Sequence, residues 1–165
     1  MSNIDEFNNL NPEIFASKYL IRDTKLDAEA LVCIKPENPK SATPWFPSIL
    51  SNNPQMPSSN NLYICISSCR RIDDEADPYY GQYRARLECA CQTHMFMLDD
   101  LGDDTTPHKP NHENLPIQPT WLIQTSPHNY QALYVLSEAL DDITLANKIT
   151  KQLPGQVRSD KAAVN

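Results

Sequence analysis

The chain has 165 residues, of which 40% are hydrophobic, and its formal net charge at pH 7 is −7. This size allows one domain with a buried core and a small appendage. The acidic balance argues against a simple electrostatic nucleic-acid binder, which would be basic. It remains compatible with an enzyme whose acidic side chains gather at a metal site.

Nothing in the sequence predicts export or membrane insertion. Residues 1–20 lack a basic start followed by an apolar run, and no stretch is apolar enough to span a bilayer. The five cysteines fit a reduced, cytoplasmic protein. Four of them lack the spacing of zinc knuckles, so we interpret them as buried free thiols: Cys65, Cys69, Cys89 and Cys91.

The first third of the chain predicts few regular elements. Asn11-Pro12-Glu13 is a good helix start, and the apolar spacing that follows predicts a helix to about residue 22. Residues 26–34 suit a short helix or a strand. Residues 35–60 contain six prolines and predict a loop.

Strands dominate the middle of the chain. Residues 62–67 are typical of a strand, and residues 71–83 form an acidic connection. A long strand is expected over 87–98, ending at an acid pair. A polar loop follows over 102–118, where Pro110 prevents its histidines from sharing a helix.

The last third predicts a hairpin and a helix. Residues 120–124 and 130–136 have strand composition and are separated by a turn over 125–129. Ser137-Glu138 predicts a helix start, and the apolar spacing beyond it is helical. Pro154-Gly155 predicts the helix end.

The acid pair Asp99-Asp100 follows the apolar run Met95–Leu98 directly. Two carboxylates at the end of a buried strand repel each other and lose hydration, so they need a cation or strong donors. Phosphoryl-transfer enzymes present divalent metal on such oxygen ligands. The alternative is a strand that ends in a polar turn, since Asp and Gly favour turn conformations.

Three segments together resemble one family, the archaeo-eukaryotic-type primases carried by phages, prophages and plasmids, including plasmid RepB-type primases. Leu98–Gly102 resembles their first acidic motif, and Pro119–Gln131 resembles their Thr-Ser-Pro-Gly-Asn-Tyr-Gln hairpin. Ser159–Asn165 resembles their third motif, which has an acid shortly before an Arg-rich segment.

The resemblance implies an α+β fold. Its primase core would be an antiparallel sheet of the RNA-recognition-like kind with flanking helices, and an α/β extension would precede this core at the N-terminus. Residues 1–60 would form the extension and residues 61–165 the catalytic core. The implied activity is DNA primase/primase-polymerase: metal-dependent nucleotidyl transfer that makes primers on single-stranded DNA from nucleoside triphosphates.

Residue by residue, the resemblance assigns catalysis and binding of two Mg²⁺ or Mn²⁺ ions to Asp99, Asp100 and Asp160. The family often separates the first two acids by one residue. Here they are adjacent, so in a regular strand they would point to opposite faces. Either the strand ends between them or only one, Asp100 by slight preference, binds metal directly. Asp103 is a candidate replacement.

The second motif fits the family in two registers, and both stay open. Family members use a Ser-x-His element whose His contacts the triphosphate, which Ser126-Pro127-His128 matches literally. Against plasmid primases, that position falls on Gln131 instead. A glutamine donates to phosphate oxygens but carries no charge. All three residues are therefore candidate nucleotide ligands.

The chain departs from the family after the third motif, where family members continue into triphosphate-binding elements. We therefore expect a truncated core, and the alternative is a non-catalytic accessory or nucleic-acid-binding module with the same fold. No ATPase P-loop is present, so a helicase partner would lie on another chain or a further segment.

Overall fold

In a computed structural model of the chain, residues 28–35, 46–47 and 61–157 are described. The predicted helix at Asn11 and the predicted metal ligand Asp160 lie outside these residues. The chain divides into two compact units, residues 1–91 and residues 92–165. The expected division at residue 60 stays a prediction.

The first unit contains three antiparallel strands. β1 (Glu29–Lys35) pairs with both β2 (Phe46–Pro47) and β3 (Asn61–Cys69). Residues 29–35 are thus a strand, which decides between the two predictions for that segment. A 3₁₀ turn, Leu87–Cys89, closes the connection after β3.

The core of the first unit confirms the thiol interpretation for two cysteines. Cys69 and Cys89 are buried with Ile72 and Tyr83, and Cys65 packs against them. The hydrogen bond with the Cys65 thiol and burial both raise the pKa of the Cys69 thiol. A thiol kept protonated in this way behaves as a small apolar side chain.

The second unit is built on a strand hairpin and one helix. β4 (Ala90–Leu101) enters it from the end of the first unit, and β5 (Trp121–Ser126), β6 (Asn129–Leu140) and α1 (Ile143–Val157) follow. β6 pairs antiparallel with β4 on one side and with β5 on the other. Together with the first unit, this confirms the α+β class.

The core of the second unit lies directly under the predicted acid pair. Leu98 and Leu101, which flank the acids on β4, are 1% and 0% exposed. They pack with Leu115 and Ala132, and Leu153 of α1 lies against the same cluster. The sheet therefore presents the acids from a rigid, apolar base.

Two predicted boundaries at the C-terminal end are wrong. Residues 137–140 continue β6, since Leu140 pairs with Thr93 of β4, so the helix begins at Ile143 instead of Ser137. Asp142 caps it by accepting the Leu145 N–H at 2.9 Å. At the other end, Pro154 lies inside the helix and is buried, so packing overrides the local stop signal.

Within the described residues, no helix is both long and apolar enough to span a bilayer.

Candidate active site

The acid pair forms a β-bulge within β4. Leu98 pairs with Ala132 and Leu101 pairs with Tyr130, so Asp99 and Asp100 together face the single residue Gln131. Asp100 has a φ of 57°, in the left-handed region that Asp and Asn tolerate best among non-glycine residues. The expectation that the strand ends at the acids is therefore wrong. In a regular strand, adjacent side chains point to opposite faces of the sheet. A bulge interrupts this alternation, so the two acids are not restricted to opposite faces.

Asp99 is held by donors from both strands of this pairing. Its Oδ1 accepts the backbone N–H of Asp100 at 2.8 Å and the Nε2 of Gln131 at 3.0 Å. The structure thus brings Gln131, a predicted nucleotide ligand, into direct contact with the predicted metal ligand Asp99.

Asp100 carries a different partner, the ammonium group of Lys109. Lys109 Nζ forms an ion pair with Asp100 Oδ1 and also donates to Asn129 Oδ1 at 2.7 Å. Asn129 in turn donates to Thr125 Oγ1 at 2.9 Å. Lys109 therefore connects the bulge of β4 to the tip of the β5–β6 hairpin, which is the second motif.

The segment between β4 and β5 brings Lys109 to this position by packing on Gly102. Gly102 donates its N–H to the Pro110 carbonyl at 2.8 Å and accepts the His112 N–H at 3.0 Å. A Cβ at Gly102 would overlap Thr106 Oγ1 and would lie 2.9 Å from the Cβ of Lys109. The loop can approach this closely only because residue 102 has no side chain.

The tip of the hairpin is a two-residue turn. Ser126 pairs with Asn129, which leaves Pro127 and His128 as its central residues, and His128 has a φ of 60°. Proline followed by a left-handed residue is the pattern of a type II turn. Ser126 is exposed at this end of β5.

His128 contacts Asp103 instead of the acid pair. Its Nδ1 lies 2.8 Å from Asp103 Oδ2, and the Thr105 hydroxyl donates to Asp103 Oδ1 at 2.6 Å. The hydrogen bonds from Thr105 and from His128 lower the pKa of Asp103 to about 2. Asp103 thus fixes the hairpin tip to the loop that carries Lys109.

The structure groups the predicted residues unevenly. Asp99, Asp100 and Gln131 meet at the bulge, His128 contacts Asp103 farther along the chain, and Ser126 forms no side-chain hydrogen bond with these acids among the described residues. Sequence reasoning missed Lys109 and Asn129. A signal was present, since Lys109 is the single Lys or Arg between Arg86 and Lys148 in a stretch rich in acids.

The donor chemistry at the bulge suits a hard divalent cation. Within the part of the chain that the structure describes, no group of three or more His, Cys, Asp or Glu residues could hold a metal. The bulge supplies two carboxylates, and the Asn129 amide oxygen lies on the same ammonium as Asp100. Carboxylate and amide oxygens are the ligands that Mg²⁺ and Mn²⁺ prefer. Asp100 and Asn129 already bind one positively charged group, the Lys109 ammonium.

A comparison with family models identifies one family for this chain. A family model described as the RepB DNA-primase N-terminal domain matches residues 73–165. The crystal structure of primase RepB′ is 18% identical to this chain with a TM-score of 0.45, and the match covers 87% of this chain and 44% of that one. The chain thus spans less than half the length of that primase. A comparison with curated proteins finds no match.

Proposed function

Because this chain belongs to the RepB DNA-primase N-terminal domain family, we propose that it catalyses divalent-metal-dependent nucleotidyl transfer, making primers on single-stranded DNA. The observation that carries this proposal is the bulge at Asp99 and Asp100, where the first motif meets the second motif through Gln131. A turn with a purely structural role would not require this contact between Asp99 and Gln131.

The proposal extends to the surroundings of the reaction. The antiparallel strands would be the RNA-recognition-like core of a mobile-element replication protein, carried by a phage or plasmid and working in the cytoplasm. Nucleoside triphosphates are the second substrate. A replicative helicase on another chain or segment would be a partner.

Asp99 and Asp100 would hold the Mg²⁺ or Mn²⁺ ions, with Asp160 as the third acid. When bound, such ions neutralise charge on the triphosphate and lower the pKa of the attacking 3′ hydroxyl. The new bond joins that oxygen to the α-phosphorus, and pyrophosphate leaves. The Gln131 amide and the Asp100 N–H orient the Asp99 carboxylate before the ions arrive.

The hairpin tip is the proposed phosphate-binding side of the site. His128 is half-exposed on the turn, and its contact with Asp103 holds it near the loop after β4. The Gln131 amide already donates a hydrogen bond to Asp99, so Gln131 would act as a positioning residue. His128 is therefore the stronger candidate for contact with phosphate. Ser126 remains a candidate beside it.

The test is primer synthesis on single-stranded DNA with Mn²⁺ and nucleoside triphosphates, comparing the unaltered chain with Asp100→Asn. Asn keeps the left-handed backbone and removes the charge, so the fold is retained. Loss of a ligand that contributes several kcal/mol of charge stabilisation predicts a decrease of about 100-fold or more. Glu113→Gln, an exposed acid in the segment between β4 and β5, is the matched control and is expected to leave the rate unchanged.

Two outcomes would contradict the proposal. Full synthesis by Asp100→Asn would mean that Asp100 is not a metal ligand and would contradict the proposed role of the two acids together. No synthesis by the unaltered chain, with single-stranded DNA binding retained in Asp100→Asn, would favour the accessory, nucleic-acid-binding module.

A further inference from the structure

We infer that Lys109 is a ligand of the nucleoside triphosphate, kept on Asp100 until a divalent cation takes over that carboxylate. The inference rests on the proposed function and adds a residue that none of the three motifs contains.

Lys109 is attached firmly at its backbone and loosely at its end. Its N–H donates to the Thr106 carbonyl at 2.9 Å, and its Cβ packs over Gly102. The side chain beyond is a flexible four-carbon stem with three rotatable donors. The ammonium can therefore change partners while the loop stays in place.

The two present partners of the ammonium are both residues of the candidate site. Asp100 lies on the bulge of β4, and Asn129 lies at the tip of the hairpin. The Lys109 side chain is 20% exposed and the Asp100 side chain is 44% exposed, so the pair is partly open to solvent. Surface ion pairs contribute little free energy, and a divalent cation competes well for such a carboxylate.

Lys109 is the one positively charged side chain of this stretch of sequence that could donate hydrogen bonds to phosphate oxygens. Between Arg86 and Lys148, nine Asp or Glu residues accompany a single Lys or Arg. A divalent cation on Asp100 would repel the ammonium and release it. The oxygens of a bound triphosphate are then the nearest new anions, because the same cation binds them.

This exchange predicts that cation and triphosphate strengthen each other's binding through Lys109. The cation displaces the ammonium from the carboxylate, and the triphosphate accepts it. Removing the positive charge therefore has two opposite effects. Cation binding alone becomes tighter, and the cooperation between cation and triphosphate is lost.

The experiment is calorimetric titration with Mn²⁺, with and without a non-hydrolysable nucleoside triphosphate. Lys109→Met is expected to bind Mn²⁺ alone about two- to fivefold more tightly, the range for loss of a surface ion pair. Its gain in Mn²⁺ affinity from the triphosphate should be at least about fivefold smaller than in the unaltered chain. Lys148→Met, an exposed lysine on α1, should match the unaltered chain in both measurements.

Lys109→Arg keeps the charge and separates loss of charge from loss of fold. It should retain most of the cooperation between Mn²⁺ and the triphosphate. Unchanged or weaker Mn²⁺ binding by Lys109→Met, with the cooperation between Mn²⁺ and the triphosphate intact, would overturn the inference. The proposed function would still be supported in that case if Mn²⁺ binding depended on Asp100. If neither the unaltered chain nor Lys109→Met bound Mn²⁺, both would fail.

Discussion

Two acidic segments of this chain look alike in sequence and differ in how their charges are balanced. Residues 73–77 and residues 99–104 each carry four carboxylates. The first lies in one compact unit and the second in the other. Their difference shows how a structural acidic loop can be distinguished from a candidate site.

The first segment is balanced by its own arginines and backbone. Asp77 accepts the Tyr79 N–H at 2.8 Å and pairs with Arg86 at 2.7 Å, and Asp73 lies 3.5 Å from Arg70. Arg84 stacks over the Tyr79 ring at 3.9 Å. The carboxylates here fix a turn, and nothing about them requires an added cation.

The second segment has one lysine for the same number of carboxylates. Lys109 neutralises Asp100, and Asp103 depends on Thr105 and His128. Two of its acids lie in a bulge of a strand, whereas the acids of the first segment lie along a turn. A count of acids therefore says little, whereas the supply of positively charged side chains around them distinguishes the two segments.

The largest effect is expected from breaking the base beneath the second segment. Leu101→Ala removes a fully buried side chain next to the bulge, which should lower the free energy of unfolding by about 2–5 kcal/mol. Urea unfolding measures it. Exposed Leu87 of the first unit is the control, and Leu87→Ala should change the same quantity by about 0.5 kcal/mol or less. Equal losses would mean that the bulge has no special support.

The two described glycines beside these segments give the next effect, since they are needed for different reasons. Gly81 has a φ of 74° and open space around it, so Gly81→Ala should cost about 1–2 kcal/mol through backbone strain. Gly102→Ala overlaps the packed loop and should cost about 1–3 kcal/mol.

Asparagine at each position separates the two causes. Asn tolerates the left-handed conformation, so Gly81→Asn should recover part of the loss seen with alanine. Gly102→Asn adds more atoms to a crowded place and should be worse than alanine. Thermal unfolding of the four variants checks this order, and recovery at Gly102 would contradict the packing account.

Sequence patterns predicted the strands and the family because those depend on local composition and short motifs. The strand at 61–69 was expected over 62–67, and the β5–β6 hairpin and the two buried thiols of Cys69 and Cys89 were also expected from apolar runs and turn residues. The motif resemblance was confirmed by the match of the family model.

The features that were missed depend on pairing between distant segments. Residues 137–140 have a good helix start, yet β4 offers them a ladder of hydrogen bonds. The bulge is a property of register, so neither strand reveals it alone. Lys109 reaches Asp100 only because its loop folds back over Gly102, and no local pattern encodes that path.

The smallest expected effect concerns the carboxyl groups that tie each segment together. The Tyr79 N–H and Arg86 lower the pKa of Asp77, and Thr105 and His128 lower that of Asp103 to about 2. A carboxyl group with a lowered pKa stabilises the fold above its ordinary pKa of about 4, and this stability is lost as the pH falls toward the lowered value.

Nuclear magnetic resonance titration of the Asp103 carboxyl tests which contact matters more. Thr105→Val removes the hydroxyl donor, the larger cause, and should raise the pKa of Asp103 further toward its ordinary value than His128→Ala does. The pKa of Asp77 should stay unchanged in both variants, since its donors, the Tyr79 N–H and Arg86, both belong to the first unit. An unchanged Asp103 pKa in Thr105→Val would mean that the Thr105 hydroxyl is not the larger cause, and that the contact with His128 at the hairpin tip keeps this carboxyl group ionised instead.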